Sequence, residues 1–279
     1  MAMLGTMNTL KVLSVGPEGA VVDAEGWGEL KVPLKELPEG LEAGSTLEVC
    51  LYAAHRGEII ATTRRPKGLV GEIVGLKVKQ CNDMGAFLDW GLPKDLLLPW
   101  GEVPREQQEH VVEGRPVVVA VFEDERGRVT ASARLDEFIA SEADEMPEGT
   151  QVDLVVVGPT PNGVRVVVNN RYFGLVHQSE AFGDLSRGAK RVGYTKRPRF
   201  DRKLDLALSA PGYAKVEGFA GQLLDILGRA GGFLPLTDKS PADEVFRRLG
   251  VSKKVFKQAV GALYRERRIE ITEDGIRTV

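Results

Sequence analysis

The chain has 279 residues, 43% of them hydrophobic and 28% charged, with a formal net charge of −3. That is the make-up of a soluble globular chain of two to four domains, and it excludes a uniformly basic nucleic-acid binder. Two cysteines, Cys50 and Cys81, exclude a disulfide framework and a metal finger. The start MAMLGTMNTLK lacks the basic and apolar regions of a signal peptide, and no apolar run is long enough to span a bilayer. A reducing, cytoplasmic compartment without a membrane partner is expected.

The charge is uneven. Residues 1–66 carry 6 Lys/Arg against 9 Asp/Glu, and residues 67–146 carry 9 against 16. Residues 147–212 carry 10 against 6, and residues 213–279 carry 12 against 9. The front half is acidic and the back half basic, so the back half can attract a polyanion.

The first three quarters are β-like. Short apolar or alternating runs fall at Val12–Val15, Ala20–Val22, Leu47–Leu51 and Ile59–Ala61. They continue at Val70–Val74, Ala86–Leu88, Leu96–Leu98, Val117–Phe122 and Val129–Ala131, with Gly, Pro, Asn and Asp at the turns. Many short strands at close spacing predict small barrels or sandwiches rather than a βαβ sheet.

Residues 68–135 and 149–208 repeat one plan. GLVGEIVGLKV and GTQVDLVVVGP open the two copies, and GAFLDW and GVRVVV follow a glycine turn. DLLLPWGEV and FGLVHQSEA then run from an apolar stretch into a polar stop. VVVAVFEDERGRVTASARL and VGYTKRPRFDRKLDLALSA close the copies as hairpins. Residues 9–63 form a more degenerate copy.

From Val216 the period changes to helical. Phe219, Leu223, Ile226 and Leu227 share one face. Ser240 then Pro241 reads as an N-cap and first-turn proline, and Gly250 as a C-cap glycine. Ser252 caps a third helix with the core stripe Val255, Phe256, Ala259, Val260 and Leu263. RRIEITEDGIRTV follows as a hairpin around Asp274-Gly275. Three helices and a terminal hairpin predict a winged helix.

The repeats resemble the S1-type RNA-binding domain, a five-stranded OB barrel. The resemblance rests on Gly85-Ala86-Phe87-Leu88 in the middle copy. In the last copy it rests on Gly174-Leu175-Val176-His177-Gln178-Ser179-Glu180 and Leu206-Ala207-Leu208-Ser209. Three such copies and a winged helix resemble the CvfB (conserved virulence factor B) family over nearly the whole chain. Two positions depart from the family pattern: the family histidine aligns with Pro99 in the middle copy, and the family phenylalanine aligns with Arg165 in the last. The fold expected is mainly β with an α+β tail: three tandem S1-type OB-fold barrels and a C-terminal winged-helix domain. The domains fall at 1–66, 67–146, 147–212 and 213–279.

An OB barrel offers one face to a single strand, where bases stack on rings and cations track phosphates. In the last copy His177 sits at a strand end, as a stacking ring or as a loop fixer bonded to Ser179 or backbone. Tyr172 and Phe173 must point to opposite faces, so one is platform and the other core. Arg165 supplies a stackable plane or a solvated charge. The hairpin YTKRPRFDRKL gathers Lys196, Arg197, Arg199, Arg202 and Lys203, with Tyr194 and Phe200 between them, a pattern suited to phosphate contact. In the middle copy Phe87, Trp90 and Trp100 are candidate stackers among Asp83, Asp89 and Asp95, with core packing as the alternative. On the third tail helix Lys253, Lys257 and Arg265 form a stripe with Lys254 beside it, for general polyanion contact or as a solvated face.

His55, His110 and His177 have no metal spacing, GDLSRGAK lacks a phosphate-loop core, and no nucleophile elbow occurs. No catalysis, cofactor or metal is expected. The family resemblance implies a regulator of RNA metabolism or gene expression that binds single-stranded RNA. The alternatives are a DNA-binding transcriptional regulator acting through the winged helix, or an adaptor docking on a ribosomal or RNA-decay protein.

Overall fold

The computed structural model describes residues 1–54, 57–143, 146–181, 183–196, 203–208 and 213–279. The chain divides into two compact units, Met1–Ala140 and Ser141–Val279.

The first unit holds two five-stranded sheets. Strands β1 (Met7–Gly16), β2 (Gly19–Asp23), β3 (Glu29–Pro33), β4 (Thr46–Ala53) and β5 (Ile59–Thr62) take the order β3-β2-β1-β4-β5. Strands β6 (Ile73–Asn82), β7 (Gly85–Leu88), β8 (Leu96–Pro99), β9 (Pro116–Glu123) and β10 (Val129–Ser132) take the order β10-β9-β6-β7-β8. Each sheet curls until its edges meet: β3 lies beside β5, and β8 beside β10. Thr130 Oγ1 donates to the Leu97 carbonyl at 2.9 Å across the second seam.

The second unit contains a closed barrel of β11 (Gln151–Thr160), β12 (Gly163–Val168), β13 (Tyr172–His177), β14 (Lys190–Thr195) and β15 (Leu204–Ala207). Closure comes from the parallel pairing of β13 with β15, Leu175 opposite Asp205. The helical tail has α1 (Tyr213–Arg229), α2 (Ala242–Leu249) and α3 (Lys253–Arg265). Three short strands, β16 (Phe233–Leu234), β17 (Ile269–Ile271) and β18 (Ile276–Thr278), complete it in the order β16-β18-β17.

Three devices recur in the barrels. The first strand of each carries an irregularity, at Val12/Ser14, Val78/Gln80 and Val156/Gly158. An extra residue there raises the local twist and lets one long strand bend round the barrel. The second strand of each begins with a glycine paired to the end of the third: Gly19 with Pro33, Gly85 with Pro99, Gly163 with His177. A Cβ at any of these glycines would lie 2.1 Å from a carbonyl oxygen of the neighbouring strand, so only glycine fits. A short 3-10 turn then follows each third strand, at Leu34–Glu36, Trp100–Glu102 and Gln178–Glu180. The repetition expected from sequence is therefore an equivalence of backbone register, and it extends to the degenerate first copy.

The cores follow the alternation of each strand. Val12, Val22, Val32 and Val49 fill the first barrel, and Leu76, Leu88, Leu98 and Val119 the second. Leu154, Val166, Val176 and Leu206 fill the third. Cys50 and Tyr52 of β4 turn into the core of the second barrel rather than their own. Lys94 also ties the two barrels, donating to the carbonyls of Ala53 (2.7 Å) and Ala54 (3.2 Å). Burial holds the Lys94 ammonium pKa below its usual value, with Arg128 adding repulsion.

In the tail, all five residues of the expected α3 stripe are buried. Ser252 Oγ accepts from Val255 N at 3.4 Å, and Gly250 ends α2 in the left-handed conformation. One expectation shifts. Pro241 itself is the capping position of α2, because its carbonyl accepts from Glu244 N and Val245 N. The Ser240 hydroxyl instead accepts from Thr237 N.

Candidate nucleic-acid interface

On β13 the side chains alternate. Tyr172, Gly174 and Val176 are buried, while Phe173, Leu175 and His177 face outward. Tyr172 is 4% exposed within the barrel core, so it is unavailable to a base, and Phe173 is the member of the pair on the outer face. Opposite lies Arg165 of β12, paired with Leu175. Its guanidinium carbon stands 3.6 Å from the Phe173 ring centroid.

Continuing round the barrel, Leu175 pairs with Asp205 of β15. The Asp205 carbonyl accepts from Lys196 N at 2.8 Å. Arg165, Leu175, Asp205 and Lys196 thus form one row across four adjacent segments. His177 Nε2 lies 3.2 Å from Asp205 Oδ1. The histidine partner is this carboxylate across the sheet, a third arrangement beyond stacking alone or a bond to Ser179 or backbone. Its side chain remains 38% exposed, which leaves part of the ring open to a ligand. Tyr194 is half-buried opposite Ala207. Lys196 Nζ reaches Glu180 at 3.4 Å, and Lys203 is exposed just before β15.

Two residues of this face were missed from sequence. Asp205 is one, although the alternation in KLDLAL marks it as outward. Arg187 is the other: it lies against Gly158, where an added Cβ would sit 3.4 Å from its Nη2. Gly158 pairs with Arg165, so the two arginines border the same patch. Arg187 belongs to GDLSRGAK, a motif that is no phosphate loop. Four expected residues, Arg197, Arg199, Phe200 and Arg202, lie outside the described residues.

The register places Phe87 of the second barrel where the third has Arg165, and Pro99 where it has His177. Phe87 and Trp100 are half-buried at this surface. Trp90 is not a stacker: it is 3% exposed in the core and its indole N–H donates to the Gly68 carbonyl at 2.6 Å. Two residues before Leu97, where the third barrel has Phe173, stands Asp95, which accepts from Lys79 Nζ at 2.8 Å. That hydrogen bond raises the Lys79 pKa above its ordinary value. The first barrel has Val21, Pro33 and Glu29 at the corresponding places. Among the described residues, the third barrel joins a ring, a guanidinium and an imidazole at these places.

On α3, Lys254, Lys257 and Arg265 are exposed and Lys253 is half-buried. Lys257 Nζ lies 3.6 Å from Asp238, and Arg265 Nε donates back to the Gly261 carbonyl. Tyr264, missed from sequence, is 55% exposed and follows Lys257 by two helical turns on the same face. The barrel and the tail touch: a side chain at Gly183 would meet the Phe246 ring of α2 at 3.2 Å.

Among the described residues no three His, Cys, Asp or Glu are grouped to hold a metal ion, and no helix is long and apolar enough to cross a membrane.

Comparison with known proteins bears on both ends of the chain. The S1 domain family model matches residues 4–64 and 70–134, and the CvfB-like winged helix domain model matches residues 221–277. The chain joins S1 domains to a CvfB-like winged helix domain. Conserved virulence factor B of Staphylococcus epidermidis is 22% identical over 96% of this chain and 92% of its own length. The uncharacterized protein YitL of Bacillus subtilis is 24% identical over 84% of this chain and 80% of its own. A solved multidomain protein with nucleic acid binding domains from Streptococcus pneumoniae TIGR4 is 21% identical, covering 99% of this chain and 98% of that one, at a TM-score of 0.44. The S1 match includes the first copy, which reads as the most degenerate. These two domain matches make the chain a carrier of nucleic-acid-binding domain types.

Proposed function

We propose that this chain is a non-catalytic, cytoplasmic RNA-binding regulator. It takes single-stranded RNA on the outer face of the third barrel and extends the contact over the basic winged helix. The observation that carries this reading is the Arg165–Phe173 stack beside His177 and Arg187. A base can stack on the exposed edge of that pair, a contribution of about 1–3 kcal/mol per base. Arg187, Lys196 and Lys203, with Arg197, Arg199 and Arg202 of the same basic stretch of sequence, are suited to follow the phosphates. Single-stranded recognition fits a flat outer face bearing rings better than duplex recognition, which needs an element inserted into a groove. Lys254, Lys257 and Gln258 on α3 favour a second reading, duplex DNA held by the winged helix.

The test is fluorescence anisotropy with labelled single-stranded RNA, single-stranded DNA and duplex DNA across a salt series. Single-stranded RNA should bind best. His177→Ala should weaken it with little change in salt slope, and Arg197→Ala with Arg199→Ala should flatten the slope. Preference for duplex DNA, or equal binding by all variants, would remove the third-barrel reading.

A further inference from the structure

We propose that the outer face of the second barrel is a docking surface for a cationic polypeptide segment in which Arg or Lys alternates with aliphatic residues. The face is apolar and partly uncovered. Met84 is 61% exposed, and Phe87, Leu97, Pro99 and Trp100 are half-buried beside it. The backbone gathers them: Phe87 pairs with Leu97, Gly85 with Pro99, and Trp100 N donates to the Met84 carbonyl at 3.3 Å. The Trp100 indole is held by the Asn82 carbonyl at 2.8 Å, so one ring of the patch is fixed before any partner arrives. Preset rings and a thioether are typical of protein-recognition surfaces.

Charge selects the occupant. Between residues 79 and 113 there are 7 Asp/Glu and 3 Lys/Arg. Two of those cations are engaged, Lys79 with Asp95 and Lys94 with the Ala53 and Ala54 carbonyls. Asp83 adjoins Met84, and Glu102 follows Trp100 in the same turn. Glu113 accepts from Cys81 N at 3.2 Å, one residue from the carbonyl that holds the indole. An acidic rim repels phosphate. The same rim and two ring faces attract Arg or Lys, through carboxylate pairing and cation–π contact. The third barrel has Arg165, His177 and Phe173 where this one has Phe87, Pro99 and Asp95, so equivalent positions differ in the charge they carry.

The test uses the full chain and a fluorescein-labelled twelve-residue peptide of alternating Arg and Leu. Alternating Glu-Leu and Arg-Ser peptides and a labelled single-stranded RNA serve as comparisons. The Arg-Leu peptide should bind better than both other peptides. Phe87→Ser with Met84→Ser should weaken it by about tenfold or more, as loss of a central apolar anchor does. Asp83→Lys with Glu102→Lys, which leaves the core untouched, should weaken it comparably and reduce its salt dependence. Neither pair of changes should move RNA affinity by more than about twofold, the size of a weak rim effect. Equal binding of the Arg-Leu and Arg-Ser peptides, or peptide affinity unchanged in the charge-reversed variant, would overturn the proposal. So would a loss of RNA binding in either variant, which would assign this face to RNA. Weak RNA binding by every form of the chain would instead count against the third-barrel reading and leave the peptide result to stand on its own.

Discussion

The guanidinium of Arg165 lies 3.6 Å over the ring of Phe173, bridging β12 and β13 on the outer face of the third barrel. The contact turns two separate side chains into one surface. The ring buries one face under the guanidinium. Where the family pattern has a phenylalanine on the second strand, this chain has an arginine braced by a phenylalanine on the third.

Phe173→Ala should therefore act twice, by removing a stacking surface and by releasing Arg165. Affinity for single-stranded RNA is expected to fall by roughly tenfold to a hundredfold, the free-energy range of one base-stacking ring. The salt slope should stay almost constant because no charge is lost. Arg165→Ala should lower both affinity and slope, and Arg165→Lys should restore the slope without restoring the affinity, since an ammonium cannot stack as a plane. Anisotropy titrations at several salt concentrations check each outcome.

Asp205 places a carboxylate within a cationic face, and His177 is its partner at 3.2 Å. Asp205→Ala should free the imidazole and remove a negative charge near the proposed phosphate path. RNA binding is expected to strengthen modestly, by about twofold to fivefold, if the carboxylate only repels phosphate, as for a peripheral like charge. Weakened binding in the folded variant would mean that orienting His177 outweighs that repulsion. Side-by-side titration of Asp205→Ala, His177→Ala and the double variant separates the two effects through their coupling.

Trp90 and Phe87 are three residues apart and have opposite fates. Trp90→Ala leaves a large void in the second barrel and strands the Gly68 carbonyl. A loss of about 3–5 kcal/mol is expected, as for other buried aromatic truncations. Phe87→Ala should cost much less, because the ring is only half-buried. Urea unfolding of the two variants checks the ranking.

The fold was legible because short-period alternation, turn glycines and helix caps each follow from local chemistry. Gly85, Gly163, Ser252 and the α3 stripe all stand where sequence puts them. The site was less legible because burial depends on which way each strand faces. Two adjacent aromatics, Tyr172 and Phe173, mark a candidate platform without saying which one faces outward. Trp90 looks the same as Trp100 in a string of letters, yet one fills the core and the other lies at the surface. Asp205 and Arg187 escaped because their roles arise from pairing across the barrel, with Arg165 and His177 at long sequence separation. The β16 strand, two residues long, has no pattern of its own and exists through its pairing with β18.

The two cysteines offer a test of how the first two barrels pack. Cys50 is 0% exposed and sits in the core of the second barrel, while Cys81 is half-buried at the surface end of β6. Burial pushes the Cys50 thiol up to about 12. An unfolded thiol ionises near about 8.5. Between those values the unfolded chain gives up a proton that the native chain retains, so stability falls as pH rises, by up to about 1.4 kcal/mol per pH unit. Below about pH 8 both states hold the proton and Cys50 adds no pH dependence. Cys50→Val removes the titrating group, so its stability curve should be flatter than that of the wild type from about pH 8.5 upward. In the native protein a maleimide should label Cys81 and leave Cys50 unmodified until urea unfolds the first unit. Rapid labelling of Cys50 under native conditions would mean that β4 does not stay seated in the second barrel.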